Sequence, residues 1–167
     1  MSSDKLVTVE FRKLLPDLRP KTVVEPPLIP ISIPGGTLRG PAELIQVINQ
    51  GEYTVNAPVM LDFGLVKSNG SRIPLVTWPN FNQQNPAWPQ GTVVKSPAFT
   101  CTIPTSAPPG AYYMYVRIDT NNRVAEASET NNEVRSTRAL AVIAPTAAAA
   151  AQPANSESPD LVSQPTR

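Results

Sequence analysis

Residues 110–133 read GAYYMYVRIDTNNRVAEASETNNE. On an extended backbone the side chains of this stretch alternate between two faces, Tyr112, Met114, Val116 and Ile118 on one and Tyr113, Tyr115 and Arg117 on the other. A period of two in β-branched and aromatic residues predicts a half-buried strand. Two turns rich in Asn and acidic residues follow at 119–122 and 126–132, and residues 134–142 alternate again. We therefore predict a hairpin at the edge of an antiparallel sandwich.

The same stretch carries a motif of a known family. Its pattern of Gly110-x-Tyr112 leading to Ile118-Asp119, then Val124-x-Glu126-x-x-Glu129-Thr130-Asn131-Asn132, resembles the end of CARDB domains. Pro16-Asp17-Leu18 and Val47-Ile48-Asn49-Gln50-Gly51 are similar to the opening phrases of that family. CARDB domains are immunoglobulin-like β-sandwiches of bacterial and archaeal surface proteins. The resemblance covers residues 16–142. It implies an all-β, Ig-like antiparallel sandwich with a role in adhesion or recognition, and it implies no reaction.

Length and composition predict one domain with extended arms. The chain has 167 residues, and its 20 prolines confine regular structure to short strands. We assign residues 1–15 to an N-terminal arm or extra strand, 16–143 to the sandwich and 144–167 to an Ala/Pro-rich tail or linker. In the tail, Ser158-Pro159-Asp160-Leu161-Val162 echoes residues 15–19. Either this repeated phrase marks the start of a second repeat of the domain, or both phrases are short segments that dock on a partner.

Several strands are predicted between the two motifs. Residues 42–49 are apolar on both faces, and residues 55–66 offer Val59, Leu61 and Phe63 as an inward set. Asn69-Gly70 predicts a type I′ hairpin leading to a return strand at 73–76, and residues 93–103 carry a further strand. Tyr112 resembles the tyrosine corner of Ig-like folds. Cys101 is the single cysteine, so the sandwich has no internal disulfide.

Charge and motifs exclude several classes of function. A net charge of +1 gives no basic field for nucleic acid or anionic membrane, and no apolar stretch approaches the ~20 residues of a membrane span. Asp4 and Glu10 interrupt any signal peptide, so the chain is made in the cytosol or is a piece of a longer secreted protein. Without histidine, with one cysteine and without a phosphate-binding glycine motif, we expect no enzyme and no cofactor.

The acidic turn is the one candidate metal site. Asp119, Asn121, Glu126 and Glu129 bear the hard oxygen donors that calcium takes. Their spacing is not that of an EF-hand, and Arg123 would repel a cation. The alternative, which we favour, is that these side chains cap turns and bond loop backbone.

Residues 77–91, TWPNFNQQNPAWPQG, form the candidate partner site. They have no periodicity, and they combine Trp78, Phe81 and Trp88 with three prolines and six amide side chains. Long irregular loops are often functional, and tryptophan is enriched at binding hot spots. The alternative is that the tryptophans fold back to cover an end of the sandwich.

Two functions remain open from the sequence. In the first, the chain is a structural module that decorates a larger assembly, such as a virion capsid, through protein partners or self-association. In the second, it is an adhesion or spacer domain of a bacterial or archaeal cell-surface protein that binds protein or carbohydrate. Met1 favours the first, and localisation is accordingly expected at a virion or a cell surface.

Overall fold

The computed structural model describes residues 13–22, 24–26 and 31–144. The alternating and proline-spaced patterns of the sequence become ten short strands in this part of the chain. These are β1 (Leu18–Pro20), β2 (Ile31–Ser32), β3 (Thr37–Gly40), β4 (Gln46–Asn49), β5 (Leu61–Val66), β6 (Arg72–Trp78), β7 (Val93–Lys95), β8 (Phe99–Thr102), β9 (Gly110–Ile118) and β10 (Glu133–Val142). No helix among the described residues is long and apolar enough to cross a membrane.

The strands form an all-β, Ig-like sandwich, as the sequence predicts. A five-stranded sheet has the order β2-β10-β9-β5-β6, a three-stranded sheet has the order β1-β4-β7, and β3 pairs with β8. All pairings are antiparallel except the two-residue pairing of β2 with β10. The limits of the sandwich and the two arms stay predictions, since most of both arms lies outside the described residues.

The core lies where the predicted inward faces meet. Tyr112, Met114, Val116 and Ile118 of β9 are all buried, and so are Val59, Leu61 and Phe63. The opposing sheet supplies Leu18, Val47 and Val94. The alternation in the sequence thus assigned these side chains to the correct face, because one side of each strand is withdrawn from water. Tyr112 also forms the predicted corner, donating from its hydroxyl to the Pro108 carbonyl at 2.7 Å.

The prediction that the β9–β10 hairpin forms a sheet edge is only partly correct. The two strands do pair, but β9 lies between β10 and β5, and β2 extends the sheet beyond β10 at Ala141 and Val142 alone. Even Tyr115, on the outer face of β9, is only 2% exposed. The Arg72 guanidinium lies 5.7 Å from the centre of its ring. Alternation reveals which face of a strand is buried, whereas the order of strands in a sheet depends on distant segments.

The hairpin at Asn69-Gly70 is confirmed, with a different turn. β5 and β6 pair antiparallel around it, and the Lys67 N–H donates to the Ser71 carbonyl at 2.9 Å. Gly70 has a φ of 87°, but Asn69 is not among the described residues with positive φ. A type I′ turn needs two such residues. The loop is instead three residues long, with glycine in its left-handed position.

Two predicted strands are shorter than expected. The strand predicted at 42–49 begins at Gln46, because Glu43 has a φ of 65° and breaks the extended chain. The strand predicted at 93–103 is divided into β7 and β8 around Pro97. Cys101 is unpaired and buried in β8, and burial raises the pKa of its thiol.

A bulge in β10 is held by a segment that precedes β2. The pairing of β10 with β9 is interrupted between Arg135 and Ala139. The Glu25 carboxylate accepts the backbone N–H groups of Thr137 and Arg138 there, at 2.8 and 3.2 Å. These hydrogen bonds satisfy donors that the bulge leaves without a strand partner.

The described chain enters and leaves the sandwich at opposite ends. Leu18 pairs with Asn49, and its N–H bonds the loop that follows the end of β9. Val142 pairs with Gly110 at the start of β9, and the Ile143 N–H donates to the Ser32 carbonyl at 2.9 Å. The nine residues of β9 span the distance between the two ends, about 30 Å at the usual rise of a strand.

Candidate functional site

The three motifs that carry the family resemblance meet at the entry end of the sandwich. We call this region the motif clasp and define it as residues 16–18, 49–51 and 126–132. The Glu126 carboxyl group accepts the Leu18 backbone N–H and, at 3.0 Å, an N–H of the Asn132 side-chain amide. The Ala127 N–H donates to the Pro16 carbonyl at 2.8 Å. These bonds tie the first strand to a loop more than 100 residues later in the chain.

Asn49 is the centre of the clasp. It is fully buried, and its Oδ1 accepts the N–H groups of Asp17 and Gly51, both at 3.1 Å. Its Nδ2 donates to the carbonyls of Tyr53 and Trp88 at 2.8 and 2.9 Å. All the hydrogen-bonding capacity of this amide is therefore used within the domain. Gly51 lies so close to the Pro16–Asp17 backbone that a Cβ there would overlap it.

Glu126 has an unusual electrostatic environment. Its side chain is 7% exposed, and this burial raises its pKa to about 8. The carboxylates of Glu129 and Asp119 act in the same direction, while the hydrogen bonds from Leu18 and Asn132 oppose the rise. The group is therefore largely neutral at pH 7, which reduces the cost of burying it.

Three of the four predicted calcium ligands, Asp119, Glu126 and Glu129, accept hydrogen bonds from the domain itself. Asp119 is buried and accepts the backbone N–H groups of Arg123 and Val124 at 3.0 and 2.9 Å. Glu129 accepts the Glu126 N–H at 2.9 Å, and Asn121 is exposed. In the part of the chain that the structure describes, no group of three or more acidic, His or Cys side chains is placed to hold a metal ion.

Two of the three predicted partner-binding aromatics are buried. Trp88 is 0% exposed, bridges Val55 through two backbone hydrogen bonds and donates from Nε1 to the Thr92 carbonyl at 2.8 Å. Phe81 is 7% exposed. Full burial removes the Trp88 side chain from contact with a partner of the folded domain, so the partner-binding prediction is corrected for Trp88, whereas Phe81 keeps a small exposed part at the wall of a cavity. They fill the core because the loop is held against it.

Trp78 is half-buried and lines a cavity of about 420 Å³. We call this cavity the Trp78 groove. It lies between β7, the turn before β4 and the loop that follows β6, and its lining residues are Ala42, Glu43, Trp78, Asn80, Phe81, Gln83, Gln84, Asn85, Val93, Val94, Lys95, Ser96 and Pro97. Edge contacts with Phe81 and Phe99, with ring centres 6.1 and 5.3 Å apart, fix the Trp78 ring.

The loop beside the groove is pinned to the body of the domain. Asn82 is buried, accepting the Val59 N–H at 2.9 Å and donating to the Ala57 carbonyl at 3.0 Å. The neighbouring amides of Asn80, Gln83 and Gln84 are exposed along the groove. Because Asn82 anchors the loop, the groove exists before any ligand arrives.

One ion pair of the groove was not predicted. Lys95 and Glu43 both line it, with Nζ and Oε2 2.8 Å apart. They are 52 residues apart in sequence, and only the pairing of β4 with β7 brings them together. No local pattern in the sequence could have revealed this pair.

Some solved structures are similar to this chain. No family model and no curated protein matches the chain. The chain is similar to the CARDB domain of the PF1109 protein of Pyrococcus furiosus, solved in complex with di-metal ions, with 19% identity, a TM-score of 0.42, and coverage of 81% of this chain and 100% of that one. It is also similar to a domain of a Methanosarcina acetivorans protein whose name assigns it to the cell surface, with 18% identity, a TM-score of 0.43, and coverage of 78% and 94%. A CARDB domain is thus among the solved structures that this chain resembles, as the sequence predicted.

Proposed function

We propose that this chain is a non-enzymatic recognition module of the cell-surface type and that the Trp78 groove is its binding site. The observation that carries the proposal is a preformed groove that combines a half-buried tryptophan with exposed amides on a pinned loop. Concave sites with an aromatic wall and a few convergent polar groups are typical of ligand binding.

The composition of the groove supports binding without catalysis. Its ionisable lining residues are Glu43 and Lys95, and they pair with each other. The hydroxyl of Ser96 accepts the Ile45 N–H at 3.2 Å and is buried. Among the lining residues, no base lies beside a nucleophile in the way that covalent catalysis requires.

Of the two functions that the sequence leaves open, recognition at a cell surface requires only the Trp78 groove. Decoration of an assembly such as a virion would depend on the two arms, most of which lie outside the described residues. The Trp78 groove, whose loop is held by Asn82, is the feature of the described domain that supports the recognition function.

The test is to expose the labelled domain to two probes, an array of neutral glycans and a phage-displayed library of random decapeptides. We expect selective retention of one probe class and loss of that binding on Trp78→Ala or Gln84→Ala. Gln90→Ala is the matched control, because Gln90 is an exposed amide of the same loop that does not line the groove. Retention of neither probe would contradict the proposal, as would equal loss in the control.

A further inference from the structure

β7 is an edge strand of the three-stranded sheet. Among the described strands it pairs with β4 alone. The Thr92 carbonyl accepts the Asn49 N–H at 3.3 Å, and the Ser96 N–H donates to the Ile45 carbonyl at 2.9 Å, so residues 92 and 96 face β4. In an antiparallel pair the backbone groups of alternate residues point to opposite edges. The N–H and C=O groups of Val93 and Lys95 therefore point away from β4.

The unpaired edge of β7 lies at the groove. Val93 and Lys95 both line it, and the exposed amides of Asn80, Gln83 and Gln84 belong to the loop that also lines it. The groove thus offers main-chain donors and acceptors in the spacing of a strand, together with amide side chains that can donate and accept. This is the arrangement that a sheet edge presents to an added strand.

The aromatic geometry favours a peptide over a sugar. Trp78 makes edge contacts with two rings, at interplanar angles of 68° and 85°. Trp78 is also half-buried, so its ring leaves less area for the stacking of a sugar ring than an open face would. The paired Glu43 and Lys95 cancel in charge, so the groove suits an occupant without net charge.

We propose that the Trp78 groove binds an uncharged, extended segment of a partner protein as an additional strand on β7. The inference rests on the proposed function and names its ligand class. The partner's backbone bonds the N–H and C=O groups of Val93 and Lys95, and its alternate side chains reach the wall formed by Trp78. Strand addition of this kind takes its affinity from main-chain hydrogen bonds and its specificity from alternate side chains.

The decisive variant is Lys95→Pro, compared with Lys95→Ala. Proline removes an N–H that points away from β4, so the existing sheet keeps its hydrogen bonds, and edge strands tolerate proline at such a position. Both variants lose the ion pair with Glu43. For a peptide selected from the decapeptide library, we expect Lys95→Pro to bind about tenfold or more weakly than Lys95→Ala, because the two variants differ in the backbone N–H of residue 95. Fluorescence anisotropy gives the dissociation constants.

A second measurement does not depend on the folding of a variant. Single N-methyl groups are placed at successive residues of the selected peptide, and each peptide is titrated with the unaltered domain. Strand addition predicts an alternating pattern in which methylation weakens binding at every second residue. A pattern without this alternation, or equal binding by both Lys95 variants, would overturn strand addition.

The outcomes separate this inference from the proposed function. Binding of glycans but not peptides at the groove would overturn the peptide ligand and leave recognition intact. Retention of neither probe would overturn both. Concentration-dependent dimerisation that Lys95→Pro abolishes would show a second copy of this chain on β7, which would overturn the partner proposed here.

Discussion

A carboxyl group enclosed by protein is more stable neutral than charged, and Glu126 is in this position while it holds the backbone of Leu18. Its pKa rises from 4.5 to about 8 in the folded domain. The folded state therefore binds this proton more tightly than the unfolded state does. The resulting stability is fully present below the unfolded pKa of 4.5 and is lost as pH rises through the folded pKa of about 8.

We accordingly predict that the domain loses stability, on the order of a few kcal/mol, as pH rises from 4.5 to about 8. Glu126→Gln, which keeps a neutral side chain of the same shape, should flatten this dependence. Glu43→Gln, at an exposed carboxylate, should leave it unchanged. Urea unfolding across this pH range measures the slope, and a slope that survives Glu126→Gln would show that other groups cause it.

The two tryptophans should respond differently to truncation. Trp88→Ala removes a fully buried side chain and its Nε1 hydrogen bond, so we expect a loss of about 3–5 kcal/mol in the free energy of unfolding. Trp78→Ala removes a half-buried side chain at the groove and should cost less. Chemical denaturation of both variants gives the comparison. Equal costs would mean that Trp78 belongs to the core as fully as Trp88 does.

At the scale of elements, a substitution at Gly70 in the β5–β6 hairpin measures the free-energy cost of one left-handed backbone conformation. Gly70 has a φ of 87°, and a Cβ added there would meet nothing within 4 Å. Gly70→Ala should therefore destabilise the domain by about 1 kcal/mol through conformation alone. Ser68→Ala, at an exposed position of the same loop, should cost much less. Thermal melts of the two variants measure this difference in stability. Equal losses of stability would contradict a left-handed conformation at Gly70.

The elements that the sequence predicted best are those that depend on local pattern. The alternation of β9 gave its inward face, and Asn69-Gly70 gave the position of a hairpin. The order of strands was not predictable, because β9 pairs with β5 about 50 residues earlier and no local signal selects that partner. The role of Trp88 was left open between partner binding and the core for a related reason. An aromatic residue among prolines and amides looks the same in a binding loop as in a loop folded onto the core.

The motif clasp shows how far a sequence motif can be interpreted before the positions of its residues in the fold are known. The resemblance drew attention to Asp17, Asn49 and Glu126, but their hydrogen bonds join residues 32 and 108 positions apart. The sequence therefore left a calcium site and turn capping as alternatives for the acidic turn. In the structure, the side chains of Glu126 and Asp119 in this turn accept backbone N–H groups.

For the whole molecule, we predict that the domain folds without the tail. Residues 145–167 contain five consecutive alanines among Pro, Ser and Gln and few large apolar side chains, a composition that cannot form a core. Ending the chain at Ala144 should leave the melting temperature unchanged within error, as measured by circular dichroism. A clear fall in the melting temperature would show that the tail packs on the sandwich.

The entry and exit of the chain at opposite ends have a mechanical consequence. Tension applied at these ends would run nearly parallel to the strands and would load the hydrogen bonds between β1 and β4 in shear. The motif clasp lies next to the entry point, so it would carry this load before the core does. Forced unfolding follows the unfolding rate rather than the equilibrium stability. In single-molecule pulling experiments, Asn49→Ala should therefore lower the rupture force more than Gly70→Ala does, because the hairpin at Gly70 lies outside the path along which the force is transmitted.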